Sequence, residues 1–368
     1  MSNGNLYQDQ NNLSNFNLIK SNKWNDRYKA VVALGELSDK HVITTLVQML
    51  NDRSYRVQEA AVRSLVQLNH EQANELLIQK LNDRSTPPKI RIAIAEAFAE
   101  SENKKIGPLF SLIIHDKNDN PQVRKYAAIG LANIKYPDIE DLLIKLVEDL
   151  SEQTEVRYIA IELLGELQVE SSFALLISVL LSKNEPDEIR ENAAYALGII
   201  GKEEALFPLI KVLKDAQVSV RVWTANALGH LGDKRAIPAL IETLKTDKNC
   251  KVREASVYAL QELADPNTTE VLIQALKDKY WGVRWNAIDA LLHIEGVQAI
   301  PLISKALNDR NSEVRKWAAQ CLGIVGDERD IPTLTDFIKN SLKTKSGLES
   351  IKIAEKAIEK INLKNNQN

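Results

Sequence analysis

Apolar positions return with the period of a helix along almost the whole chain. In VREASVYAL (252–260), VRWNAIDAL (283–291) and VRKWAAQCL (314–322), apolar or small residues stand one before the arginine and three, four and seven after it. That spacing is one stripe of an α-helix and marks its buried face. The frame recurs in DRYKAVVAL, VQEAAVRSL, IRIAIAEAF, VRKYAAIGL, VRYIAIELL, IRENAAYAL and VRVWTANAL. The arginine column reads Arg27, Gln58, Arg91, Arg124, Arg157, Arg190, Arg221, Arg253, Arg284 and Arg315, at intervals of 31 to 33 residues. A fixed period of that length predicts stacked repeats. Residues 331–361 read as a degraded eleventh copy with Ile351 near the arginine position, a worn end that suits a capping repeat.

Each unit carries a second helical pattern ahead of this one, as in AIPALIETL (236–244) and AIPLISKAL (299–307). We call it helix A and the arginine-bearing helix B. Pro238, Pro301 and Pro332 stand at the opening of helix A, where a missing N–H costs nothing. Helix B often ends in LGxxGD, with Gly198/Gly201, Gly229/Gly232 and Gly323/Gly326; a glycine past the last turn predicts a left-handed C-cap. No segment alternates like a strand, so the fold class is all-α. The expected organisation is a disordered polar lead-in over 1–20, repeats over 21–361 and a disordered tail over 362–368.

The arginine recurs too often to be a site. Its expected partner is an acid six residues earlier, Asp247 for Arg253, Asp278 for Arg284 and Asp309 for Arg315, giving a structural ladder; Gln58 breaks it with a neutral hydrogen bond. Positions one, two and five after the arginine (+1, +2, +5) vary freely and lie off the buried stripe. They hold Tyr158 and Trp285 at +1, Tyr126, Trp223 and Trp317 at +2, and Tyr195 and Tyr258 at +5. Tyr280 and Trp281 fall in the turn entering the next helix. In a chain with 5% aromatic residues, that is a concentration of the residue types that dominate binding hot spots. Asn192, Asn226, Asn286, Asp289 and Glu162 interleave with the rings, whereas early repeats put Lys29, Glu59, Arg63 and Glu96 there. Trp24 reads as part of the N-terminal cap.

The two-helix unit, with VRxxAAxAL and LGDxRAIPAL, resembles the HEAT-like repeat of phycobilisome-lyase type over about 21–361. The tetratricopeptide and ankyrin signatures are absent. The resemblance implies a right-handed α-solenoid of about ten to eleven two-helix repeats, with helix B lining the concave surface. It implies function less sharply, because the repeat builds scaffolds, bilin lyases and a metal-dependent hydroxylase. The hydroxylase needs paired His-Glu motifs; here His70-Glu71 is alone, and His41, His115, His230 and His293 are not followed by Glu.

Composition narrows the field. The chain is 44% hydrophobic and 26% charged, with net charge −3 and a pI of about 6.1. Glu59, Glu96, Glu162, Glu191, Glu254 and Asp289 on the flank would repel phosphates, so no nucleic-acid partner is expected. Two cysteines in unrelated contexts, Cys250 and Cys321, predict no disulfide framework and a cytoplasmic location. No signal peptide and no membrane partner are expected. No phosphate-cradling loop, catalytic triad or metal spacing appears, so no cofactor or metal is expected.

Two functions are therefore expected. One is an interaction scaffold whose protein partner docks along Tyr158, Tyr195, Trp223, Tyr258, Tyr280, Trp281, Trp285, Asp289 and Trp317. The alternative, implied by the resemblance, is a phycobilin lyase of E/F type. It would hold the linear tetrapyrrole against the same rings and pass it to a cysteine of a phycobiliprotein subunit.

Overall fold

The computed structural model describes residues 16–37, 40–341 and 347–365. Among them are 21 α-helices and no strand. They fall into two compact units, residues 1–167 and 168–368. Unit 1 has B helices at Trp24–Gly35, Tyr55–Leu68, Pro88–Ala99, Pro121–Asn133 and Thr154–Glu166. Unit 2 has them at Asp187–Ile200, Val218–Leu231, Cys250–Leu263, Trp281–Glu295, Ser312–Val325 and Gly347–Asn365. Within each unit a B helix lies against the next B helix and against its own A helix, the arrangement of a HEAT-repeat solenoid. The predicted stripe is the core: Val283, Ala287, Ile288 and Leu291 are each at most 1% exposed.

The arginine ladder forms, but between repeats rather than within them. Arg284 bonds Asp309, Arg253 bonds Asp278 and Arg221 bonds Asp247, each 25 or 26 residues onward. In unit 1 the same pairing joins Arg27 to Asp52, Arg91 to Asp119 and Arg124 to Glu152. The acid six residues back supplies only its backbone carbonyl, as Asp278 does to Arg284 at 2.8 Å. Gln58 keeps that neutral half, donating to the Asp52 carbonyl at 2.6 Å. In the longer repeats the arginine Nε turns instead to the carbonyl ten residues back, at the last turn of helix A: Leu81, Ile114, Val147 and Leu180. The second form satisfies a carbonyl that a helix end leaves without a partner, and the first satisfies one in the A–B loop.

Burial opposes the charge on Asp52, Asp119, Glu152, Asp278 and Asp309. Bonds from the arginine and from a loop N–H outweigh it and hold these carboxyls below their ordinary range. At Asp215 the bond from Arg190 is itself the largest effect, in the same direction.

The two glycines of LGxxGD do different things. The first is a spacer inside helix B. A Cβ on Gly198 or Gly229 would lie 2.9 Å from the Cα of Ala227 or Ala259 in the next B helix. The second is the left-handed cap at Gly201 (φ 73°) and Gly232 (φ 72°). Gly326 departs from the expectation, with φ −70°. Asn69, Lys135, Gln168 and Ala264 adopt the left-handed turn at this register without glycine, Ala264 at φ 44°.

The ends also differ from the expected boundaries. Ile19 is buried within the supposed lead-in, an apolar side chain hidden by the polar average around it. The last helix carries on to Asn365, past 362. Residues 1–15 and 366–368 lie outside the described residues. One stretch, Trp281–Ala306, has the length and mean hydropathy (1.2) of a membrane span. It is a B helix and the following A helix, broken at Gly296 (φ 58°) and carrying Arg284 and Asp289.

Candidate functional site

The flank of helix B opposite its buried stripe collects +1, +2, +5 and, one turn on, +9. In unit 2 it carries a chain of rings. Trp223 and His230, seven residues apart on Val218–Leu231, both reach solvent. Tyr195 of the preceding B helix meets Trp223 at 5.9 Å (79°) and His230 at 6.5 Å (76°). His230 then meets Tyr258 of the following B helix at 6.4 Å (88°). All three contacts are edge-to-face, the attractive geometry for rings whose edges are positive and faces negative. Trp223 is 39% exposed and Tyr258 38%, so the chain presents ring surface outward.

His230 is the member that sequence reasoning missed. From the sequence it enters as a histidine not followed by Glu. The signal was its seven-residue separation from Trp223, which puts both on one face.

A second group lies in the seam between Trp281–Glu295 and Ser312–Val325. Trp285 and Trp317 stack at 4.8 Å and 29° and are both half-buried. Leu292 occupies the register where Gly198 and Gly229 let other B helices close up, and the two indoles fill this seam. The Trp317 Nε1–H is buried without an acceptor. Asp289, half-buried beside them, accepts from Gln261 at 3.0 Å. Burial, helped by the Asp289 charge, pushes the Cys321 thiol up to about 12.

A third group stands where helix Trp281–Glu295 begins. Tyr280 and Trp281 lie 5.8 Å apart, the Lys251 ammonium sits 5.3 Å over the Tyr280 ring, and Trp281 is 39% exposed. Tyr158 belongs to unit 1, on Thr154–Glu166, and is 38% exposed. The eight predicted residues of unit 2 therefore gather into three groups. Tyr195, Trp223 and Tyr258 are joined through His230; Trp285, Trp317 and Asp289 share a seam; Tyr280 and Trp281 pair at a helix start.

The B face of unit 1 is polar around Glu59, Arg63 and Glu96, as expected, but not on the first B helix, where Tyr28 and Val32 hold +1 and +5. Arg63 is held by Glu59, Glu96 and Glu100, and Tyr126 Oη donates to Glu96 at 2.9 Å. Burial, with that bond, pushes the Tyr126 hydroxyl up to about 12. Ahead of the network stand three exposed rings, Trp24, Tyr28 and Tyr55. Among the described residues no group of His, Cys, Asp and Glu is placed to hold a metal ion. A cleft of about 460 Å³ in unit 2 opens at the A–B turns beside Lys214, Arg221 and Asp247, away from the ring chain.

Residues 15–99, 107–187, 150–220, 207–291 and 269–345 match the family model described as HEAT repeats. The bilin biosynthesis protein PecE of Nostoc sp. strain PCC 7120 is 28% identical over 111 residues, 30% of this chain and 44% of that one. PecE of Mastigocladus laminosus is 31% identical over 103 residues, 28% of this chain and 38% of that one. The chain thus spans about four-tenths of the length of these curated relatives. Among solved structures, Kap95p in its work with RanGDP superposes with a TM-score of 0.62 at 14% identity, over 96% of this chain and 56% of that one.

Proposed function

The chain belongs to the HEAT-repeat family, and on that premise we propose that it is an interaction scaffold whose unit 2 docks a partner protein on the B-helix face. One observation carries this reading. Trp223, Tyr195, His230 and Tyr258 link three successive B helices through ring contacts that the repeat itself does not need. Equivalent positions elsewhere in the chain hold Lys29, Arg63 or Glu96, and those repeats fold. The rings lie on an open face, which suits a broad partner better than an enclosed small molecule. The hot-spot residue types are present, and Asn226 beside them supplies polar discrimination.

The test compares the native chain with Trp223→Ala/Tyr258→Ala in affinity capture from the source cells, followed by titration of the protein recovered. The expected result is one specific protein bound by the native chain and at least about tenfold weaker to the variant. Equal binding by both would overturn the assignment of this face.

The likeness to PecE favours a second reading, in which the chain handles a linear tetrapyrrole. The stacked Trp285–Trp317 pair, with Asp289 beside it, is the place to look for it. A free phycobilin mixed with the chain would then shift to the red and sharpen, and lose that change in Trp285→Ala/Trp317→Ala. An unchanged spectrum would remove this reading and leave the first intact.

A further inference from the structure

The start of unit 1 carries a surface of a different kind. Trp24, Tyr28 and Val32 stand at intervals of four on the first B helix, 41%, 39% and 42% exposed, and so form one apolar stripe open to solvent. Trp24 and Tyr28 touch edge to face at 6.4 Å and 73°. The next B helix brings Tyr55, 37% exposed, into the same register as Trp24. These rings are met by cations. The Arg56 guanidinium lies 4.8 Å over the Trp24 ring, and the Lys89 ammonium 5.7 Å over Tyr55.

Around Trp24 and Tyr55 cations outnumber the carboxylates that lack a cationic partner. Lys23, Arg53, Arg56 and Lys89 are all exposed, and none forms an ion pair with a carboxylate among the described residues. Of the carboxylates nearby, Asp52 is paired with Arg27, Asp26 accepts from the Ser21 hydroxyl at 2.8 Å, and Glu59 and Glu96, which act on Tyr55, are held by Arg63. A guanidinium lying over an indole is held in place by its face, while its N–H edges stay free to take a carboxylate in a bidentate bond.

We propose that this surface docks an acidic peptide segment of a partner protein, one that sets bulky apolar side chains between its carboxylates. The apolar side chains cover Trp24, Tyr28 and Val32, and the carboxylates reach Arg56, Lys89 and Arg53. Charge complementarity selects the occupant, and its reach is bounded. Alongside lies the network of Glu59, Glu96 and Glu100 around a single Arg63, three carboxylates against one cation. A polyanion running on past the rings would meet that network, so the occupant is a short segment. The surface is on unit 1 and shares no residue with the ring chain assigned to unit 2, so either assignment can fail alone.

The experiment uses the full chain and three fluorescein-labelled probes read by anisotropy. They are a short Glu/Asp peptide interspersed with Phe and Leu, the same peptide with Ser at the apolar positions, and a short oligodeoxythymidine. The apolar-acidic peptide is expected to bind best, to weaken as salt rises, and to lose at least about tenfold in both Trp24→Ala and Arg56→Glu/Lys89→Glu. The charge-reversal variant changes only exposed side chains, so it keeps the test sound if Trp24→Ala misfolds. Trp223→Ala/Tyr258→Ala is expected to bind this probe as the native chain does. Equal binding of the serine peptide, tighter binding of the oligonucleotide, or no loss in the variants would each overturn the proposal.

Discussion

Arg284 and Asp309 are joined by two hydrogen bonds of 2.6 Å across 25 residues, although Asp278 is the nearer acid in sequence. The guanidinium thus ties the first turn of one B helix to the A–B loop of the next repeat. Arg284 is 4% exposed, so removing one partner leaves an almost buried charge. Arg284→Ala or Asp309→Ala is expected to cost about 3 kcal/mol, and the double variant less than the sum. Urea unfolding checks the cost. Hydrogen exchange should show the loss centred on the 309–312 loop.

Acid should loosen the solenoid through the same bonds. The carboxyls of Asp52, Asp119, Glu152, Asp215, Asp278 and Asp309 are depressed in the fold. A depressed group binds fewer protons folded than unfolded. Its stabilisation is therefore complete above the unfolded carboxylate pKa, about 4, and is lost as pH falls through the lower folded value. The melting temperature should stay level from pH 7 to about 5 and drop below about 4. A level profile down to pH 2 would contradict the ladder.

Two small substitutions should move stability in opposite directions. Gly198→Ala drives a methyl to 2.9 Å from the Ala227 Cα, a backbone atom, and should cost about 1–3 kcal/mol. Ala264 holds φ 44° with a side chain that this conformation disfavours. Ala264→Gly should gain about 0.5–1 kcal/mol, because relief of strain exceeds the added freedom of the unfolded chain. Chemical denaturation of both variants against the native chain decides this.

The indoles should divide by role. Trp317→Ala opens the seam beside Trp285 and is expected to cost about 2 kcal/mol and remove the coupled-indole circular dichroism band. Trp317→Phe should cost less, since the stack survives and the buried N–H without an acceptor is gone. Trp223→Ala, on the open face, should stay within about 1 kcal/mol of native.

The thiols should react very unequally. Cys321 is fully buried and its thiol is pushed up to about 12, while Cys250 is part-exposed at a helix start. A disulfide reagent at pH 8 should titrate one thiol in the folded chain and two in denaturant. Rapid reaction of both would place Cys321 wrongly.

The sequence by itself determined everything that repeats within one unit. The 3.6-residue stripe named Val283, Ala287 and Leu291 as core, because the face of a helix follows from its own spacing. Glycine and proline marked where helices start and stop, as at Gly201, Gly232, Pro238 and Pro301, because those residues act on their own backbone. Only the tertiary structure decided what passes between repeats. It gave Asp309 to Arg284 and not to Arg315, because the loop of one repeat lies over the helix end of the one before. It put Gly198 against Ala227, since the closeness of two helices is set by both. It joined Tyr195 to Trp223 and brought in His230, and it hid half of Trp285 against Trp317. It exposed Trp24 beside Tyr28 and Arg56, where a cap residue was expected. A helical period fixes which way a side chain points along its own helix. The neighbour it meets depends on the rotation and rise from one repeat to the next, and those emerge only when the helices stack.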